Sequence, residues 1–428
     1  MFHLFLALAA VIIAGRLLGI VFRWIGQPPV IAEVIAGILL GPSLLGAISP
    51  AAQQYLFPDS IKPALEVIAQ LGVILYMFVV GLELDLRVMQ ERGTAILTTA
   101  IASIAAPFAL GIALALPMYA VHSPSSISFT KFALFLGAAL SITAFPVLAR
   151  ILKDRHMSRS PLGVMALTCA AMNDAAAWCL LAIVVGVAQA EVGWAIAVAL
   201  MTAVFIACMF FAVRPLITWL LQRLGDEPPP QGVLALIFLA LLVSCLTTEV
   251  IGIHAIFGAF LLGAVFPHNS RVAIDLCHKL EDLVTVLLLP AFFAYTGMRT
   301  EIGLIAGWEN WLWCLAIIAV ATAGKFGGSF AAAKLTGLSW RDSAGLGILM
   351  NTRGLMELIV LNIGLQLEII SPTVFAMMVV MAIVTTLATT PILRLIGIGE
   401  GQAGEDAGRL TSIPLAVSPR QGDSAANH

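Results

Sequence analysis

The sequence predicts an all-α membrane protein of about thirteen transmembrane helices, built as a six-plus-six inverted repeat with two broken, crossing helices. Three observations predict it: the composition, the length of the apolar runs, and the sorting of basic residues between alternate loops. Of the 428 residues, 61% are hydrophobic and 11% charged, with a mean hydropathy of +1.03. Soluble domains carry roughly 45 to 50% apolar residues. A chain so apolar takes the bilayer as its solvent, which excludes an ordinary soluble enzyme.

A hydrocarbon core about 30 Å thick takes roughly 20 helical residues to cross. The apolar runs have that length and fall at 3–23, 28–48, 62–82, 94–119, 131–151, 161–188, 192–213, 231–249, 252–267, 282–298, 311–333, 342–366 and 372–397. The first is expected to be retained as a span, because Met1-Phe2-His3 offers no basic n-region and Arg16 interrupts the apolar stretch. Loops are short throughout. Residues 1–398 are expected to form one transmembrane domain, and the Gly/Ser/Ala-rich stretch 399–428 a disordered cytoplasmic tail.

With the N-terminus outside, the basic residues sort by side. Sixteen fall inside: Arg23; Arg87 and Arg92; Arg150, Lys153, Arg155 and Arg159; Arg214 and Arg223; Arg271 and Lys279; Lys334 and Arg341; Arg394, Arg409 and Arg420. Only Lys62, Lys131 and Arg299 fall outside, and Arg16, Lys325 and Arg353 lie within spans. This predicts a multi-pass protein with its C-terminus in the cytoplasm. The net charge of -2 carries no basic patch for nucleic acid, and the six cysteines lack metal-ligand spacing, so neither a disulfide nor a metal cofactor is expected.

Thirteen spans divide as six, one connector and six, and an odd connector inverts the second six, which is the logic of many transporters. The fifth and twelfth spans then correspond. Each has a helix-weakening polar patch near its middle, Ser141-Ile142-Thr143-Ala144-Phe145-Pro146 in one and Asn351-Thr352-Arg353-Gly354 in the other. Matching interruptions point to a binding site; a single Pro kink or polar cluster would not.

An ionisable group at the centre of a span costs about 2.5 to 3.5 kcal/mol on insertion scales, so each one needs a reason. Arg16, Glu33 and Glu66 lie near enough to span ends to snorkel, and His254 reads as a packed neutral histidine. Asp174 sits halfway along the sixth span among small alanines, too deep to snorkel and with nothing in its own span to neutralise it. Its neighbour Asn173 adds a carbonyl acceptor and amide donors. Lys325, in Gly324-Lys325-Phe326-Gly327-Gly328, is the natural countercharge on a span whose glycines permit close packing. Arg353 and Glu357 are four apart on one helix face, which allows an internal salt bridge, a gate or direct contact with an ion.

These stretches, together with Gly26-Gln27-Pro28-Pro29-Val30-Ile31-Ala32-Glu33, Gly41-Pro42-Ser43, Gly81-Leu82-Glu83-Leu84-Asp85, Asn173-Asp174 and Asn351 to Leu358, resemble the monovalent cation:proton antiporters of the sodium/proton exchanger superfamily. The branch they resemble holds the Kef-type potassium systems and the plant cation/H+ exchangers, and the resemblance covers nearly all of residues 1–398. It implies a homodimer in a bacterial inner membrane that exchanges K+ or Na+ for H+ in the service of pH homeostasis, with no cofactor. Asp174 would carry the monovalent cation or the proton, Thr143 would contribute from the crossing, and Lys325 would be the basic partner. The Asn-Asp pair departs from the Asp-Asp pair of electrogenic relatives and matches electroneutral members, so 1:1 exchange is expected. The segment after the last span is too short for the regulatory domain of Kef-type systems. A cation channel or a solute symporter of related fold are the alternatives.

Overall fold

The computed structural model describes residues 1–27, 29–83, 93–158, 160–188, 192–224, 230–267 and 270–398, and the regular structure among them is entirely helical. The tail 399–428 and Arg87, Arg92 and Arg159 of the orientation count lie outside the described residues.

The chain opens with α1 (Phe2–Trp24) and α2 (Pro29–Leu40), followed by the short α3 (Leu45–Ile48) and α4 (Pro50–Leu56) and the long α5 (Lys62–Glu83). Next come α6 (Gly93–His122), the pair α7 (Phe129–Ser141) and α8 (Phe145–Asp154), and α9 (Pro161–Ala188). α10 (Val192–Cys208) runs through a π-helical turn into α11 (Arg214–Leu224), and α12 (Gln231–Ile251) is followed by α13 (Ala255–Val265). α14 (Arg271–Leu283) continues through a second π-helical turn into α15 (Leu289–Arg299). The chain closes with α16 (Trp308–Leu335), the pair α17 (Trp340–Met350) and α18 (Leu355–Gln366), and α19 (Pro372–Leu395).

Eight helical stretches among the described residues are long and apolar enough to cross a bilayer, and Phe129–Ser141, Ala255–Val265 and Met356–Gln366 are shorter apolar helices. Their outer faces suit lipid: Phe211, Val250, Leu335 and Leu395 are 80–86% exposed. Exposed Trp24, Trp308 and Trp340 sit at helix ends, where an aromatic ring with one polar edge meets the membrane interface.

Packing sorts the helices into two groups. In one, α1 lies on α2, α2 and α5 lie on α15, and α13 lies between α5 and α12. Gly81 on α5 and Gly263 on α13 face each other so closely that a Cβ on either would strike the other helix's backbone. In the second group, α16 packs along α6, and α7, α8, α9, α17, α18 and α19 gather around that pair. Contacts of α9 with α10 and of α19 with α2 join the groups.

Two expectations need correction. The tenth span, expected over 282–298, is helical from Arg271. Its first part is amphipathic, with Val272, Ala273, Leu276 and Leu280 buried, and its charged outer face hides it from a hydropathy reading. Arg271 and Lys279 therefore sit on a helix and not in a loop. The connection after the second span also carries α4, started by Ser49, whose Oγ accepts from the Ala52 N–H at 3.3 Å ahead of Pro50 at the first helical position.

Candidate functional site

The first break lies between α7 and α8. Ile142 is extended (φ -74°, ψ 140°), and Pro146 has no N–H to give the Ile142 carbonyl, so a continuous helical ladder cannot pass. The Ser141 hydroxyl turns back to the Gly137 carbonyl at 2.7 Å and closes the last turn of α7. The second break runs from Asn351 to Gly354. A Cβ at Gly354 would stand 2.5 Å from Val147 Cγ2, so glycine is what lets α8 lie against the start of α18.

The two breaks exchange hydrogen bonds. The Ala144 N–H donates to the Thr352 carbonyl at 3.0 Å. The Thr143 hydroxyl donates at 3.0 Å to the carbonyl of Met350, the last residue of α17. In return the Arg353 guanidinium donates to the carbonyls of Ala139 (3.2 Å) and Leu140 (2.6 Å) in the last turn of α7. Each break thus sends donors to the C-terminal end of the other half-helix, where unpaired carbonyls concentrate roughly half a negative charge. Thr386 on α19 holds the second break in place: its Oγ1 accepts from the Arg353 N–H at 2.9 Å and donates to the Arg353 carbonyl at 2.8 Å.

Arg353 also pairs with Glu357 at 2.8 Å, and both side chains are fully buried. Of the readings open for that pair, the internal salt bridge is present, and it is anchored to the crossing by the two α7 carbonyls. His254 caps α13, its Nδ1 accepting from the Ile256 N–H at 3.4 Å. Glu66 accepts from the Tyr295 hydroxyl at 2.6 Å. Both stand apart from the crossing.

Asn173 and Asp174 project from the middle of α9, and both are 0% exposed. The Asn173 amide satisfies its surroundings in the orientation that lets Nδ2 donate to the Ala100 carbonyl (3.1 Å) while Oδ1 accepts from Ser103 Oγ (2.7 Å) and from Lys325 Nζ (3.3 Å). Thr143 Oγ1 lies 3.3 Å from the same amide. Lys325, also 0% exposed, reaches this point because α16 rides close on α6. A Cβ at Gly324 would stand 2.5 Å from Pro107 Cα, and one at Gly328 would stand 2.6 Å from the Ala102 carbonyl oxygen.

Neither carboxylate oxygen of Asp174 has a hydrogen-bond partner. Lys325 lies in its electrostatic reach, and the Phe145 N–H at the start of α8 is directed at the carboxylate without reaching full hydrogen-bond geometry. The expected countercharge therefore stands beside Asp174 but is engaged by Asn173. Asn351 Oδ1, Thr352 Oγ1 and Glu357 Oε1 are buried and unpartnered as well. A cluster of unsatisfied oxygens at a crossing of two half-helices suits a hard cation or water, since a buried oxygen with no donor is otherwise costly.

Asp174, Asn173, Thr143 and Lys325 are thus brought together, with Arg353 and Glu357 beside them on the second break. Ser103 and Thr386 went unremarked in the sequence, and Thr352 was marked only as part of the polar patch at the second break. Ser103 had a signal, since it stands four residues before Pro107, whose missing N–H leaves the Ser103 carbonyl without its helical partner. Thr386 had none beyond its place in a run of threonines.

A helical membrane bundle with two broken helices crossing beside a buried, unpartnered carboxylate defines a secondary transporter. Residues 7–395 match the family model described as sodium/hydrogen exchanger, transmembrane. The chain is 44% identical over 396 residues to the Na(+)/H(+) antiporter NhaS4 of Synechocystis sp., covering 91% of this chain and 97% of that one. It is 39% identical to the Cation/H(+) antiporter 18 of Arabidopsis thaliana, covering 91% of this chain and 48% of that protein. It is 34% identical to the K(+)/H(+) antiporter 1 of Saccharomyces cerevisiae, covering 90% of this chain and 45% of that protein. The chain spans about half the length of these plant and yeast relatives. The fold matches the sodium proton antiporter MjNhaP1 from Methanocaldococcus jannaschii with a TM-score of 0.63 at 15% identity, over 90% of this chain and 97% of that one. The chain belongs to the sodium/hydrogen exchanger family, which is one of secondary transporters and not of enzymes.

Proposed function

We propose that this protein exchanges a monovalent cation, K+ or Na+, for H+ by alternating access, and that Asp174 carries each in turn. The observation that carries the reading is the Asp174 carboxylate, 0% exposed and with both oxygens unpartnered. A bare carboxylate cannot remain uncompensated in a dry site, so it takes a proton or a cation before the site closes. The Na(+)/H(+) and K(+)/H(+) exchange named for the relatives supports both cargoes.

The ionisable groups around it are Lys325, Arg353 and Glu357, and in this proposal each keeps its charge through the cycle. With Asp174 ionised these sum to zero, and with either one proton or one monovalent cation on Asp174 they sum to one positive charge. Both loaded states therefore move the same charge in opposite directions, so exchange is 1:1 and electroneutral. Asn173 does not titrate and adds no second carrier.

The chain crosses the membrane about thirteen times as two inverted six-helix halves about a connector. The group around α6 and α16 moves with the crossing, against a group that includes α2, α5, α13 and α15 and serves as the fixed scaffold of a homodimer. The protein sits in the bacterial inner membrane with its N-terminus outside and its C-terminus cytoplasmic, where the exchange contributes to pH homeostasis. Purified protein in vesicles holding a pH-sensitive dye tests the function. A cation gradient should drive proton movement for Na+ or K+, and an imposed voltage should not drive it. Cation current would mean a channel, and flux dependent on an organic solute would mean a symporter.

A further inference from the structure

The guanidiniums of Arg23, Arg150, Arg155 and Arg394 come from three separate stretches of sequence that the orientation count places on one side of the membrane. In the structure they line one cavity of about 530 Å³, together with Gln27 and His156, among the C-terminal ends of α1, α8 and α19. Ligand cavities typically measure about 300 to 1,000 Å³. Among the described residues no carboxylate lines it.

Basic side chains at helix C-termini often do no more than offset the helix dipole. Three helix ends here contribute roughly half a negative charge each, about one and a half in all. Arg150 can be set aside, because Glu33 lies in its field. Leaving Arg150 and Arg155 to the end of α8, Arg23 and Arg394 bring two full positive charges to the ends of α1 and α19, whose dipoles supply about one negative charge between them and so offset only about half. Arg155 is pinned in the wall by the carbonyls of Ile398 (2.7 Å) and Thr390 (3.4 Å). Arg394 lies over Gly26, which has φ +71° and no Cβ to obstruct the guanidinium. Neither Arg23 nor Arg394 pairs with a carboxylate among the described residues.

His156 adds an independent observation. It follows α8 in the left-handed region at φ +55°, where the Met157 N–H closes the helix end on the Leu152 carbonyl at 2.8 Å. Glycine is the easier residue at such a position. A histidine kept there at a backbone cost puts an imidazole on the cavity wall.

We propose that this cavity binds a phosphate-bearing anion, held by the guanidinium forks of Arg23 and Arg394 with His156 as a further donor. Planar guanidiniums match phosphate oxygens two at a time, which a scattered set of lysines would not do. The anion comes either from a phospholipid headgroup or from a free phosphorylated solute. The cavity's Thr390 and Ile151 stand one helical turn from Thr386 and Val147, which line a small cavity at Arg353. An occupant would therefore neutralise positive charge on the approach to the crossing.

The test uses the full chain. Thermal stability in detergent is followed against inorganic phosphate and against sodium chloride at equal ionic strength. In parallel, protein recovered from vesicles of phosphatidylglycerol or of phosphatidylcholine is assayed for retained lipid phosphorus. Arg23→Gln combined with Arg394→Gln should weaken the phosphate effect at least tenfold or remove the retained phosphatidylglycerol. His156→Gly, which relieves the backbone and so protects folding, should weaken the same effect about threefold. Loss of the phosphate effect assigns a free solute, and loss of retained phosphatidylglycerol alone assigns a headgroup. Wild-type protein that responds to neither probe, or variants that respond as the wild type does, would overturn the proposal.

Discussion

Lys325 Nζ donates to Asn173 Oδ1 at 3.3 Å, one residue away from a carboxylate that no side chain hydrogen-bonds. A neutral amide thus holds the buried ammonium and leaves Asp174 open to a mobile charge. Asp174→Asn should lower cation-driven proton flux at least 100-fold while the melting temperature holds or rises, because the substitution removes an uncompensated buried group. Vesicle flux and a melting curve on the same preparation measure both, and retained flux would sink the carboxylate assignment.

Lys325→Ala leaves Asn173 Oδ1 with the Ser103 hydroxyl and withdraws the ammonium beside Asp174. Removing a hydrogen bond to a charged group costs about 1.5 to 3 kcal/mol, so the melting temperature should fall. The cation should bind more tightly, because a fixed positive charge that competes for Asp174 is gone. Lys325→Gln restores hydrogen bonding without charge and separates the two effects: stability should return while the altered cation affinity persists. Unchanged affinity in both variants would remove Lys325 from the site.

Arg353→Ala strands the Glu357 carboxylate and two α7 carbonyls at once. Breaking a buried pair by removing one partner costs about 3 to 5 kcal/mol, so this variant should melt much earlier than wild type. Neutralising both members, with Arg353→Met and Glu357→Met together, should recover part of that loss. A double variant no more stable than Arg353→Ala would show that the carbonyl bonds, and not the ion pair, carry the effect.

Thr143→Val keeps shape and removes the hydroxyl that reaches Met350, at a cost of about 1 kcal/mol. Flux should fall severalfold and Thr143→Ser should restore it. If valine and serine behave alike, the hydroxyl has no part in holding the two breaks together.

The basic end of the bundle should face the cytoplasm. A cysteine at Ser158, beside Arg155 and His156, should resist an impermeant thiol reagent applied to intact cells and react after permeabilisation. Ready labelling from outside would invert the proposed orientation.

Membrane character and the charged candidates were legible in the sequence, because the bilayer penalises any charge at depth and so makes each one conspicuous, whereas Ser103 and Thr386 were not. Asp174 stood out by the same arithmetic that marked Lys325 and Arg353. The breaks at Ser141 to Pro146 and Asn351 to Gly354 were visible as local chemistry, proline in one and a polar, glycine-ended cluster in the other. Hydropathy had no means of registering α14, whose buried stripe is interleaved with charge.

Partnership was decided only by the tertiary structure. The nearest opposite charges suggest a Lys325–Asp174 pair, yet the close approach of α16 to α6 at Gly324 and Gly328 delivers the ammonium to Asn173, beside Ser103. Likewise, nothing local says that Arg353 serves the end of α7, more than two hundred residues earlier in the chain. Spacing along one helix fixes which side chains share a face, as it did for Arg353 and Glu357. Which carbonyls and amides meet that face depends on how distant helices pack, and a linear sequence does not carry that information.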